Sequence, residues 1–170
     1  METAVTALIV IGVMILAIIG LSDRALSAQA ALTDASLALQ EREGERLRTI
    51  LTSKGAVVDG TGAIVQVTIH NAGATKLVDF DRWDAIVEYS DGSNQQLMWL
   101  PYGVAENQWS AEIYQDADTS TPEMYDPNLL NPGEDLVVTM TLTPTVGIGS
   151  VNRFTLVTAN GISAATPFTR

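Results

Sequence analysis

The chain opens on an unbroken apolar run. From Ala4 to Leu21 (AVTALIVIGVMILAIIGL) no residue is charged and only Thr6 is polar. As a helix this run rises about 27 Å, close to the thickness of a bilayer core, which makes it a transmembrane candidate. Gly12 and Gly20 weaken an isolated helix but permit two helices to approach closely. From Ser22 to Lys54 the chain contains no proline and a single glycine, Gly44, and is rich in the helix formers Ala, Leu, Glu, Gln and Arg. Leu26, Leu37, Leu47 and Leu51, with Ala30 and Gly44 between them, form one apolar stripe. Ala25, Ala28, Leu32, Ala35 and Leu39 form a second. Lys54 suits the negative end of a helix and Gly55 the position just beyond it. The pattern predicts one helix over about residues 3–54, roughly 75–80 Å long.

After Gly55 the period changes from 3.6 to 2. Ala63–His70 alternates and is β-branched, so it reads as a strand. The turn Asp59-Gly60-Thr61-Gly62 joins it to a short strand at Ala56–Val58, and Asn71-Ala72-Gly73 ends it. Further strands are expected at Trp83–Tyr89, Gln95–Leu100, Trp109–Tyr114, Asp135–Leu142, Val151–Thr158 and Ile162–Phe168. Turns at Asp91–Asn94 and Asn131–Glu134 separate some of them, and Gln115–Pro132 reads as a long surface loop. Short strands at this spacing predict an immunoglobulin-like sandwich. The expected fold class is α+β: an N-terminal hydrophobic assembly helix at 1–54 followed by a β-sandwich outer domain at 55–170.

The two parts differ in scale. A compact domain of residues 55–170 has a diameter of about 30–35 Å and cannot bury a helix of that length. The N-terminal half must be covered elsewhere, by lipid or by copies of itself. Ala4, Leu8, Ile11, Gly12, Ile15, Leu16, Ile19, Leu26 and Leu37 are the candidates for helix-on-helix packing.

Charge sharpens the division. Residues 1–53 carry four basic and six acidic side chains, whereas residues 54–170 carry five and fourteen. The acidic second part, without a Lys/Arg cluster, argues against nucleic acid and suits a water-facing outer surface. No cysteine is present, so disulfides and thiolate chemistry are excluded.

Chemical motifs are sparse. His70 is the only histidine, and a lone histidine at a strand end is usually structural. No G-x-S-x-G, Walker-type or G-x-G-x-x-G loop occurs; Gly147-Ile148-Gly149 lacks the third glycine. Asp116, Asp118, Glu123 and Asp126 are hard oxygen ligands, but their spacing is not that of an EF-hand, and a solvated acidic loop is the simpler reading. Trp83, Trp99, Tyr102 and Trp109 are candidates for a sugar-binding face or for core positions. No cofactor, metal site or enzymatic activity is expected. No N-x-[ST] sequon occurs, while the Thr-rich stretch Thr139–Thr145 leaves O-linked sugars open.

Three origins of the apolar run compete. A cleaved secretory signal finds an A-x-A match at Ala28-Gln29-Ala30, but no Lys or Arg precedes the run. A plain signal anchor lacks the same basic residues. A type IV pilin-like N-terminus, processed from a basic leader, accounts for an apolar run that starts almost at residue one.

With these features in place, the chain resembles the type IV pilin superfamily, and within it archaellins and related archaellum or pilus subunits. The carriers are the apolar start ETAVTALIVIGVMILAIIGL, the unbroken helical pattern after it, and the β-domain opening VQVTIHNAGATKL. The ending VTANGISAATPF resembles archaellum accessory proteins of the stator type. Type IV pilins of bacteria typically have Glu at position 5; Val5 here leans toward the archaellin branch. The resemblance implies an extracellular filament of identical subunits that serves swimming motility. It also implies a membrane location before assembly and an ATP-driven assembly motor with platform proteins as partners. The alternatives are a membrane-anchored stator-like or surface interaction protein, and an adhesive pilus subunit.

Overall fold

The computed structural model describes residues 2–170, except the side chains at positions 2, 4, 17–19, 22, 23 and 25. The chain divides into two compact units, one ending at Glu43 and the other spanning Gly44–Arg170. Helix α1 occupies Glu2–Arg48. Nine strands follow it: β1 Leu51–Val58, β2 Ile64–Asn71, β3 Asp84–Ser90, β4 Gln95–Leu100, β5 Gln108–Asp116, β6 Thr121–Pro122, β7 Asp135–Thr141, β8 Val151–Val157 and β9 Ser163–Thr169. A short 3-10 helix, Phe80–Arg82, precedes β3.

The helix ends six residues before the expected Lys54, which is a correction. Leu51–Lys54 belongs to β1, where Leu51 pairs with Asn71 and Ser53 with Ile69. The stop is tertiary rather than local. The last helical carbonyl, that of Arg48, accepts a hydrogen bond from the Ala74 amide at 2.8 Å, and the Thr75 hydroxyl donates to the Glu45 carbonyl at 3.3 Å. The turn after β2 thus caps the helix end, satisfying carbonyls that a helix leaves open. Gly73 sits where a Cβ would collide with the Arg48 carbonyl and the Ile50 amide, so only glycine fits this close approach.

The strands form two antiparallel sheets, ordered β1-β2-β7-β5-β6 and β4-β3-β8-β9. Alternation along each strand sends one set of side chains inward. Val65, Val67 and Ile69 of β2, Leu136, Val138 and Met140 of β7, Ala85, Val87 and Tyr89 of β3, and Phe154 and Leu156 of β8 form one shared core. Trp109 and Leu130 are fully buried in it. Asn71, the residue that ends β2, is also fully buried. Its Nδ2 donates to the carbonyls of Thr75 (2.9 Å) and Leu130 (3.3 Å), and its Oδ1 accepts from Gly73 N at 3.2 Å. A buried amide with three partners locks the turn: it gives the Thr75 carbonyl a donor and adds a second to the Leu130 carbonyl, which Leu77 N already bonds at 3.0 Å.

Candidate functional site

Between Val5 and Leu16 every side chain is exposed. Leu8 is 75% exposed and Leu16 71%, and Val5, Ile9, Val10, Ile11, Val13, Met14 and Ile15 all lie near half or above. Helix formation here needs no special signal, because proline is absent and every residue except Gly12 tolerates helical geometry. The apolar residues surround the axis instead of lining one stripe. Such a helix belongs inside an assembly or a lipid layer, not in water. Covering each large side chain is worth roughly 1.5–3 kcal/mol.

Of the residues expected to pack helix on helix, Leu8, Ile11, Gly12, Ile15, Leu16, Leu26 and Leu37 are exposed in the single chain. The side chains of Ala4 and Ile19 lie outside the described residues. A Cβ added at Gly12 would meet nothing within 4 Å, so the fold of one chain does not require this glycine. Among the described residues no helix is long and apolar enough to cross a membrane. Four side chains of the Ala4–Leu21 run expected to be transmembrane (4 and 17–19) fall outside the description.

The head carries a second feature, a buried ion network on β1, β2 and β7. Asp135 is 1% exposed. Its Oδ1 lies 2.7 Å from His70 Nδ1, and its Oδ2 accepts from Lys54 Nζ at 2.9 Å and from Ala117 N at 2.9 Å. The register brings them together. His70 is the cross-strand partner of Asp135, and a bulge between Ser53 and Gly55 leaves Lys54 unpaired. Lys54 also reaches Asp118 Oδ2 at 3.0 Å and Asp116 Oδ1 at 3.8 Å. Burial pushes the Asp135 carboxyl up, but the Ala117 amide, Lys54 and His70 outweigh it, and the net direction is down. The hydrogen bond from Asp135, followed by that from Asp118, holds the Lys54 ammonium above the usual lysine range.

Nothing in the sequence pattern marked this network, because it depends on strand register and a bulge. It reassigns two of the four acidic loop residues: Asp116 and Asp118 face an ammonium. Glu123 closes its own turn, accepting from Tyr125 N at 2.7 Å and Asp126 N at 3.2 Å. Among the described residues no group of three or more His, Cys, Asp or Glu could hold a metal ion. The four aromatic candidates do not share a face. Trp83 and Trp109 are buried, whereas Trp99 and Tyr102 are exposed at 58% and 41%. Trp83 packs edge-on against Phe80, and Tyr102 edge-on against Trp109.

No protein-family model and no curated protein sequence matches the chain. Solved structures do. The archaellum periplasmic stator protein FlaG from Sulfolobus acidocaldarius superposes with a TM-score of 0.54 at 20% identity, over 71% of this chain and 99% of that one. The archaeal flagellin FlaB1 from Methanocaldococcus jannaschii gives 0.53 at 17% identity, over 71% and 89%. The archaeal flagellum of Methanospirillum hungatei gives 0.57 at 16% identity, over 96% and 90%. In fold, this chain is similar to archaellins and related archaellum subunits.

Proposed function

We propose that this chain is a structural subunit of an extracellular helical filament of archaellum type, self-assembling through α1 and serving swimming motility. The observation that carries the proposal is the helix between Val5 and Leu16, apolar on all sides and uncovered in the single chain. In a filament, equivalent segments cover one another, and Gly12 lets neighbouring backbones approach. Contacts between unlike surfaces that do not close into a ring propagate an open helical polymer. The acidic heads, which we read as immunoglobulin-like sandwiches, coat this core. An ATP-driven motor and platform proteins would assemble and turn it. The likeness to the flagellum of M. hungatei supports the filament over other plans, because 96% of the chain cannot be covered without most of α1.

A second reading is a stator-like surface protein. It is favoured by the likeness to FlaG, which spans 99% of that protein but only 71% of this chain. Neither reading needs catalysis. Electron microscopy of the purified full-length protein separates them: regular filaments support the first, and a preparation that stays as discrete particles under all assembly conditions supports the second.

A further inference from the structure

We infer that the edge strand β4 is a docking surface for a second copy of this chain, the two β4 strands pairing antiparallel about a two-fold axis centred on Leu97. The inference goes beyond the filament reading and does not depend on it.

An open sheet edge invites pairing, and proteins ordinarily guard it with charge, proline, a bulge or brevity. The two sheets have four edges: β1, β6, β4 and β9. The β1 edge has the bulge at Ser53/Gly55 together with Lys54. The β6 edge is two residues long, contains Pro122 and joins β5 through a register shift. The β9 edge contains Pro167. Strand β4, Gln-Gln-Leu-Met-Trp-Leu, has none of these devices. It holds no charge, and its pairing with β3 runs without a shift.

The register shows which groups the open edge offers. Asp91 N donates to Asn94 O at the hairpin end, so hydrogen-bonded pairs alternate from there along β3 and β4. Gln95, Leu97 and Trp99 fall on the non-bonded pairs, with their peptide groups directed away from β3. Beyond them the edge is closed, because Trp109 N donates to Pro101 O at 3.0 Å. The same residues expose their side chains, Leu97 at 74% and Trp99 at 58%. The indole of Trp99 is fixed by its Nε1–H donating to Asp84 Oδ1 at 2.9 Å on the neighbouring strand β3, so it lies on the sheet face beside the open edge in one orientation.

The occupant follows from charge and symmetry. Residues 54–170 carry five basic and fourteen acidic side chains, so two heads repel over most of their surface. From Ser93 to Ala105 the chain has no charge at all, and here two copies can meet. Centring the two-fold on Leu97 sets Leu97 against Leu97 and Trp99 against Gln95, and each facing pair exchanges its free peptide groups. Such a contact joins two copies and closes; it is distinct from any contact that propagates a polymer.

Because the chain has no cysteine, a single introduced thiol reports the contact. Opposed hydrogen-bonded residues lie about 5.5 Å apart between Cα atoms, within disulfide range. Full-length Leu97→Cys, oxidised with copper phenanthroline, should give a disulfide-linked dimer on a non-reducing gel. Met124→Cys, at an equally exposed loop position, should give several-fold less. Adding Trp99→Lys to Leu97→Cys should cut the yield several-fold while the circular dichroism spectrum stays native. Cross-linking at 97 no better than at 124, or indifferent to the lysine, overturns the pairing. The same samples are viewed by electron microscopy. Filaments without the cross-link reject the pairing and keep the filament reading; the cross-link without filaments does the reverse.

Discussion

Asp135 and Lys54 stand two strands apart in the five-stranded sheet, and the ammonium bonds the buried carboxylate at 2.9 Å across β2. One acidic side chain thereby ties β1, through Lys54, β2, through His70, and the loop after β5, through the Ala117 amide, to β7. Removing it leaves His70 Nδ1 and the Ala117 amide without their acceptor, while Lys54 keeps Asp118 at 3.0 Å. Asp135→Ala should destabilise the head by about 2–4 kcal/mol, in line with breaking a buried charge pair. Thermal denaturation followed by circular dichroism measures this; an unchanged midpoint would show that the network contributes nothing.

Acid should weaken the head in a defined window. Hydrogen bonds from the Thr61 hydroxyl and then the Ile64 amide lower Asp59 to about 2. The amides of Asn94 and Ser93 and the side chain of Gln96 lower Asp91 to about 2. Asp135 is also lowered. A carboxylate with a depressed folded pKa contributes stability that is present above its unfolded pKa, near 4, and is lost as pH falls through the folded value. The melting temperature should therefore hold from neutrality to about pH 4 and decline toward pH 2. Replacing Asp91 by Asn should flatten that decline, and an equally steep one in the variant would assign the acid sensitivity elsewhere.

The turn that caps α1 should be sensitive to single atoms. Asn71→Ala removes the donor to the Thr75 and Leu130 carbonyls and the acceptor for Gly73 N, all on a fully buried residue. A loss of about 1–3 kcal/mol is expected, because the Thr75 carbonyl and the Gly73 amide lose these bonds while the Leu130 carbonyl keeps the Leu77 amide. Gly73→Ala should also destabilise, because its Cβ would meet backbone atoms of Arg48 and Ile50 that cannot swing aside. Chemical denaturation with urea compares both variants with the parent. A Gly73→Ala midpoint equal to the parent's would mean that the helix end gives way cheaply.

Much of the head was legible in the sequence. The period-2 stretches became β2, β3, β4, β5, β7, β8 and β9 within a residue or two at their ends, and Asp59–Gly62 formed the hairpin turn. Those signals are local: alternation marks the buried face, and Gly and Asp mark the turns. The end of α1 was not legible, since Leu51–Lys54 is composed of residues a helix accepts. What stops the helix is Ala74, which bonds Arg48 from beyond an intervening hairpin. Lys54, expected as a helix-terminal charge, serves instead as the partner of a buried aspartate. That pairing exists only once three strands are in register. The apolar residues of α1 were legible as uncovered surface, and they are exposed in the single chain.

If α1 builds a filament core, Leu16, 71% exposed in the single chain, is covered there by a neighbouring helix. Electron microscopy of the purified full-length protein and of Leu16→Asp, prepared identically, gives the comparison. Regular filaments are expected from the parent and none from Leu16→Asp, whose head remains folded by circular dichroism because residue 16 lies outside its core. Normal filaments from Leu16→Asp would contradict a core built from this helix.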